Sequence, residues 1–196
     1  MKIVVIGAGN WGTTLAHIFS RENDVLLCTR TSEHADSINR HRENIKYLKG
    51  IGLSGRVRAI RHLSEPFESD DIIVVSVPSN QVRQIAHDIS GRMLSQPLIC
   101  ASKGFEHASM KTMSEVIHDE IPSAPIIVLT GPNIAREIAE GKPTKAILAS
   151  KDFAAVSRVV KTFKNDLIAF EICNDVKGVE LCAALKGIIA IGVGIA

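Results

Sequence analysis

A doubly wound α/β fold on a mostly parallel sheet is what the sequence predicts, and three observations predict it. Short apolar runs without polar alternation, such as Ile3-Val4-Val5-Ile6 and Ile72-Ile73-Val74-Val75, suit strands covered on both faces. Between such runs lie stretches with apolar residues at helical spacing, so strand and helix alternate along most of the chain. Finally, Gly7-Ala8-Gly9-Asn10-Trp11-Gly12 joins the first strand to the first helix with glycines at the G-x-G-x-x-G interval. The predicted architecture is Rossmann-like.

Ile3–Ile6 forms the first strand, and Thr13-Thr14-Leu15-Ala16-His17-Ile18-Phe19 continues as a helix after the glycines. At such a turn the first glycine permits the tight bend and the second lets the backbone approach a pyrophosphate. The third removes the side chain that would hold helix and strand apart. Phosphates there meet free N–H groups at the positive end of the helix. A tight β–α turn that binds nothing is the plainer alternative. Asp24–Thr29 reads as a second buried strand, ending at Arg30, eighteen positions after Gly12. A carboxylate at that point selects NAD through the ribose 2′-hydroxyl. Thr29-Arg30-Thr31-Ser32 offers a cation and hydroxyls instead, which favours the 2′-phosphate of NADP over NAD, with an ordinary solvent arginine as the alternative.

Ser32–Asn44 fits an exposed helix, Asn44–Leu53 a glycine-bearing loop, and Val57–His62 an edge or third strand. Asp71–Val77 is the clearest inner strand. It stops at Pro78, and Pro78-Ser79-Asn80 forms a loop at the strand's C-terminal end, the side where ligands bind in open α/β sheets. A helix from about Gln81 to Ser90 follows, then a strand from Pro97 to Ser102 that ends in Lys103-Gly104-Phe105-Glu106. Next come a helix around Thr112–Glu120 and a strand at Ile126–Thr130. Gly131-Pro132-Asn133 then opens a helical Ile134–Glu140, either as a second anion site or as a plain helix start capped by Asn133. Ala146–Ala149, Phe153–Phe163 and Leu167–Glu171 continue the alternation as strand, helix and strand.

From Asn174, read as an N-cap, the chain becomes one long helix that is apolar on most faces, with Glu180 and Lys186 among its few charges. A helix apolar all round demands burial by other helices. Residues 1–173 therefore read as a nucleotide-binding domain and 174–196 as the first helix of a second, helical domain, the chain being a fragment. A homodimer that buries this helix is the competing account.

The 196 residues are 45% hydrophobic and 22% charged with a net charge of +2, enough to bury one core and begin another. A pI near 8.4 with interspersed signs and 4% aromatic residues argues against nucleic acid as partner. Arg30, Arg40, Arg42, Arg56, Arg58 and Arg61 make the second quarter locally basic, which fits a solvated face or a small phosphorylated ligand. Cys28, Cys100, Cys173 and Cys182 show no metal spacing, and the seven histidines form no ligand pair, so no metal is expected. Cys28 and Cys100 fall in predicted buried strands, where cysteine behaves as a small hydrophobe, and with the lack of a signal peptide this points to a reducing cytoplasm. The uncharged tail from Gly187 to Ala196 is far short of the ~20 residues of a membrane span.

Two lysines stand out for chemistry. Lys103 ends a buried strand on the edge that carries Gly7–Gly12, and Lys186 lies inside an apolar helix. Burial lowers a lysine's pKa and brings it into general acid–base range. The alternatives are a solvent-exposed turn residue for Lys103 and a snorkelling surface lysine for Lys186.

The sequence resembles bacterial NAD(P)-dependent glycerol-3-phosphate dehydrogenases. The resemblance is carried in order by Gly7 to Ala16, Tyr47-Leu48, Val77-Pro78-Ser79, Ser102-Lys103-Gly104-Phe105-Glu106, Gly131-Pro132-Asn133-Ile134-Ala135 with Glu137, Gly141-x-Pro143-Thr144, and Glu180 to Lys186. It implies interconversion of sn-glycerol 3-phosphate and dihydroxyacetone phosphate with a nicotinamide cofactor, feeding phospholipid synthesis. It also implies that Asn10 and Trp11 contact the cofactor phosphates and that Arg30 and Tyr47 lie on the adenosine side. Lys103 would touch cofactor and substrate, Gly131 and Asn133 substrate, and Ala135 cofactor, with Lys186 as proton acceptor for the C2 hydroxyl. Departures are Gly187, where relatives usually carry Asn, and Asn133, where Ser or Thr is common. The family's further helical domain, which supplies an Arg-Ser-Asn-type loop and an Asp, lies outside the sequence. A non-catalytic nucleotide-binding module, or another hydroxy-acid or sugar-phosphate dehydrogenase, stands as the alternative.

Overall fold

The computed structural model describes residues 1–61, 66–93, 95–163 and 166–195. An eight-stranded sheet runs in the order β3-β2-β1-β4-β5-β6-β7-β8. Its strands are β1 (Lys2–Ile6), β2 (Asp24–Cys28), β3 (Val57–Ile60), β4 (Ile72–Val75), β5 (Leu98–Cys100), β6 (Ile126–Thr130), β7 (Thr144–Ala149) and β8 (Ile168–Cys173). The helices are α1 (Asn10–Phe19), α2 (Ser32–His41), α3 (Ser79–Ser90), α4 (Met113–Glu120), α5 (Ala135–Ala139), α6 (Phe153–Thr162) and α7 (Val176–Ile195). Neighbouring strands are parallel except β6 and β7, which run antiparallel. The order reverses between β1 and β4, and that switch point is where open α/β sheets bind ligands.

The uninterrupted apolar strands are explained by two cores. Along β1, Ile3 and Val5 face one layer while Val4 and Ile6 face the other. The first layer takes Leu15 and Phe19 of α1 with Val156 and Val159 of α6, and Phe19 stacks on Phe163 at 3.7 Å between ring centroids. The second takes Val82 and Ala86 of α3 with Met113 and Ile117 of α4. Each such side chain, fully buried, contributes about 1.5–3 kcal/mol.

Several element ends differ from the sequence reading for identifiable reasons. The helix expected to reach Asn44 stops at His41, because Arg42 adopts a left-handed backbone (φ 53°). Its guanidinium there donates to the carbonyls of Leu53, Ser54 and Val57. The third strand ends at Ile60, and its expected terminus at residue 62 lies outside the described residues. Asp71 precedes β4 rather than opening it: buried, it accepts from the backbone N–H groups of Lys2 at 3.0 Å and Glu68 at 2.9 Å. Asp175, not Asn174, caps α7, its Oδ1 accepting from Gly178 N–H at 2.9 Å.

The length of α7 also corrects an expectation. Val176–Ile195 is one helix of 20 residues whose mean hydropathy reaches 1.8, so by length and composition alone it is apolar enough to cross a membrane. Its first turns are a wall of the sheet domain, however, with Val176 and Val179 against the second core and Glu180 buried.

Candidate functional site

A groove of about 710 Å³ opens at the C-terminal ends of β1, β2 and β4, walled by Gly7, Ala8 and Gly9 on one side and by Ser76, Val77 and Pro78 on the other. The three glycines of the turn have different reasons to be glycine. Gly7 has φ +114°, and a Cβ on it would stand 2.2 Å from the Ser76 carbonyl oxygen. A Cβ on Gly12 would lie 1.9 Å from the Gly7 carbonyl oxygen, so the third glycine lets α1 sit directly on the turn. Around Gly9 a Cβ meets nothing within 4 Å. The fold itself has no use for glycine there; a ligand approaching the backbone does.

The helix starts around this groove agree. The N-caps of α1 and α3 are Gly9 and Pro78, which like Ile134 before α5 make no side-chain cap, whereas α2, α4 and α6 are capped by Thr31, Thr112 and Asp152. Uncapped first-turn N–H groups with no acid in the first turn of α1 leave a positive end for an anion. Asn10 is exposed at that end, and half-buried Trp11 packs on the first core with its Nε1 lacking a partner among the described residues.

Arg30 and Tyr47 line the far end of the groove beside His34 and Arg61. Arg30 follows β2 and Arg61 follows β3, whose pairing Cys28 with Ile60 brings the two strand ends together. Tyr47, 44% exposed, carries the Lys46 ammonium 5.1 Å from its ring centre. The loop bearing Tyr47 is anchored by buried Asn44, whose Nδ2 donates to Ala8 O at 3.0 Å and Thr13 Oγ1 at 2.8 Å. Neither Asn44 nor Arg61 stood out individually as a site residue: one is a loop asparagine without pattern, the other one arginine of a basic run.

Lys103 lies just beyond β5. Ser102 ties that strand end to the neighbouring one, its Oγ donating to Val77 O at 2.7 Å and accepting from Val77 N–H at 3.1 Å. Lys103 is exposed to the edge of the sheet, yet burial of its ammonium first, and the positive charge of Lys186 second, hold its pKa below the ordinary lysine value. Two lysines far apart in sequence thus come within electrostatic reach. Lys186 itself is exposed on α7, so the burial expected of it from the apolar helix is not observed in the chain described here.

Beyond Lys103 a short hairpin is closed by the Phe105–Thr112 bridge and by Glu106 N–H donating to Lys111 O at 2.9 Å. Arg83 grips it from α3, donating to both oxygens of Glu106 at 2.7 and 2.8 Å and to Glu120 at 2.8 Å. Arg83 first, then Ser109, pull the Glu106 carboxyl down to about 2. A carboxylate held this low contributes stability above its ordinary value near 4.5 and loses it as the pH falls towards 2. Asp119 and Glu120 are shifted in the same direction. The difference in Tm between the parent and Arg83→Ala is therefore expected to shrink through this acid range. A difference that stays constant with pH would assign the effect to packing.

Asn133 does not cap a helix as one sequence reading allowed. The N-cap of α5 is Ile134, and α5 has only five residues. The Asn133 Nδ2 instead donates to Thr144 Oγ1 at 3.0 Å and Lys145 O at 2.8 Å, while its buried Oδ1 has no partner among the described residues. Gly131 is packed so closely that a Cβ would stand 2.8 Å from that Oδ1. Ala135 connects to α1, its carbonyl accepting from Thr14 Oγ1 at 3.3 Å.

Sequence and structure comparisons bear on the family of the chain. The profile of a family described as NAD-dependent glycerol-3-phosphate dehydrogenase N-terminus matches residues 2–156. The chain belongs to that family. A curated glycerol-3-phosphate dehydrogenase (NAD(P)+) of Sphingopyxis alaskensis is 38% identical over 99% of this chain and 59% of its own length. One of Mycobacterium avium is 35% identical over 98% of this chain and 57% of its own. The crystal structure of glycerol-3-phosphate dehydrogenase from Coxiella burnetii superposes with a TM-score of 0.90 at 28% identity, covering 99% of this chain and 60% of that one. The chain spans somewhat over half the length of the curated relatives it matches.

Proposed function

We propose that the protein interconverts sn-glycerol 3-phosphate and dihydroxyacetone phosphate with NAD(P)(H), in the cytoplasm, supplying glycerol 3-phosphate for phospholipid synthesis. The observation that carries the reading is the approach of Lys103 and Lys186 at the sheet edge that also bears a dinucleotide-type glycine turn. Unpaired Cys28, Cys100, Cys173 and Cys182 suit a reducing compartment. Residues 1–173 serve as the cofactor domain. Residues 174–196 belong to a helical substrate unit, a reading supported by Ile188, Ile191 and Val193, each about two-thirds exposed or more (68%, 66% and 73%) and in need of cover by further helices or a second copy.

The open face of Gly9 and the uncapped start of α1 fit a pyrophosphate, with Asn10 and Trp11 beside it and Ala135 nearby across α1. A nicotinamide bound there would supply the acceptor for the hydride leaving C2 of glycerol 3-phosphate, and the donor in the reverse direction. Hydride departure leaves positive charge on C2 unless the hydroxyl proton leaves as well. Lys186 takes that proton and so lets the C2–O bond become a carbonyl. Lys103, as the ammonium, stabilises the negative charge on the C2 oxygen between the two states. Gly131 and Asn133 hold the substrate, the unpartnered Oδ1 of Asn133 accepting from one of its hydroxyls.

At the adenosine end Arg30 favours NADP, with Arg61 alongside it. The test of both readings is a set of initial rates for the full-length protein with dihydroxyacetone phosphate and either NADPH or NADH, before and after Arg30→Asp. Cofactor oxidation is expected, together with a loss of NADPH affinity of about tenfold, or ~1.4 kcal/mol, in the variant and little change for NADH. Absence of oxidation with either cofactor sinks the dehydrogenase reading; an unmoved preference clears Arg30 of selecting the cofactor.

A further inference from the structure

Among the described residues Glu180 is the one buried residue of α7, at 6% exposure. A buried carboxylate is costly unless its oxygens are met by donors. One oxygen accepts from the Ser114 backbone N–H at 2.9 Å and the other from Ser114 Oγ at 2.5 Å. Ser114 stands in the first turn of α4, where the helix end favours an anion. That end already has a complete capping box from Thr112 and Glu115, so α4 does not need Glu180 to be capped.

What the contact fixes is α7. Its other named contacts lie at or before Val179, namely the Asp175 cap, Val176 and Val179 on the core, and an exposed ion pair of Lys177 with Glu115 at 3.1 Å, while Ala183 and Ala184 beyond Glu180 are half-buried. From residue 185 to residue 195 every position is exposed. Lys186 sits six residues past Glu180, roughly 9 Å along the axis. The height and rotation of Lys186 over the sheet edge are thus set by the last buried contact before it.

We propose that Glu180 is a positioning residue, its paired hydrogen bonds to Ser114 holding α7 so that Lys186 faces Lys103 across the reacting substrate. The inference rests on the roles given above to these two lysines. Glu180 is faced by Ser114 of α4 and by the Cys100 thiol of β5, with Glu115 and Lys177 close to the same helix end. The charge acting on Lys103 is that of Lys186.

The test compares Glu180→Ala, Glu180→Gln and Ser114→Ala in the full-length protein. Glu180→Ala is expected to lower kcat at least tenfold with the KM for NADPH changed less than twofold. The titration of Lys103, followed through its rate of reaction with an amine-directed reagent and read by mass spectrometry, should move up towards an ordinary lysine as Lys186 withdraws. Glu180→Gln, which keeps an acceptor for the Ser114 N–H, should recover most of kcat and return the titration. If Glu180→Ala does not fold, Ser114→Ala is expected to shift both readouts in the same direction by a smaller amount. A lower Tm with kcat and the Lys103 titration unchanged overturns the proposal and leaves Glu180 a purely structural anchor. The titration needs no substrate, so failure of the dehydrogenase reading would appear as inactivity of the parent protein and not as an unmoved Lys103.

Discussion

Lys186→Ala is expected to lower kcat for dihydroxyacetone phosphate reduction about a thousandfold, or ~4 kcal/mol of transition-state stabilisation. The same change should leave NADPH binding almost untouched, because the glycine turn and the Arg30 end of the groove are built by other elements. Nor should it unfold the protein. Lys186 is exposed on α7, and truncating an exposed side chain away from caps and cores usually changes stability by no more than about 0.5 kcal/mol. Loss of turnover with retained cofactor affinity and retained Tm is the pattern of a proton-transfer group. The measurement is steady-state kinetics beside cofactor titration and thermal unfolding of the same samples. A kcat equal to that of the parent would remove Lys186 from the chemistry and with it the assigned base.

Gly9 and Gly12 are expected to separate fold from function within one turn. In Gly12→Ala the new Cβ would stand 1.9 Å from the Gly7 carbonyl oxygen, which is backbone and has nowhere to go unless α1 lifts from β1. Overpacking of that severity costs about 3 kcal/mol or more. For a domain of this size that corresponds to a fall in Tm of about 6–12 °C. Gly9→Ala adds a Cβ with nothing within 4 Å, at a backbone angle (φ −76°) that alanine accepts without strain. Its Tm should stay within about 2 °C of the parent. Its Kd for NADPH and NADH should nevertheless rise about tenfold, ~1.4 kcal/mol, because the methyl occupies the space a pyrophosphate needs. Unchanged affinity for both cofactors in Gly9→Ala would mean that the turn is architecture alone.

The parts of the fold legible in the sequence are those where one physical signal dominates. Ile72–Val75 is apolar on both faces because it lies at the sheet centre, and the run marks it without ambiguity. The glycine turn was equally plain, since both flanking elements are strongly patterned. The reversal of β7 against β6 left no such mark, because apolar runs record burial and not strand direction. The Arg30–Arg61 neighbourhood depends on the register of β2 with β3, which no local pattern encodes. Asn133 shows the limit of local rules: it has the chemistry of an N-cap, but Thr144 and Lys145 on β7 capture its side chain first. Lys186 shows a different limit. The apolar composition of α7 left burial and a surface position for Lys186 both open, and the structure exposes it because Glu180 is the one buried residue of the helix among those described.

The two hydrogen bonds of Asn44 join pieces of the groove that sequence distance keeps apart. Ala8 and Thr13 flank the glycine turn, and Tyr47 rides three residues beyond Asn44 at the Arg30 end of the groove. These segments are mechanically one cassette. An effort to transplant the nucleotide preference of this groove into another doubly wound scaffold must move residues 7–13 and 44–48 together, since either segment alone would arrive without the surface it is moulded against.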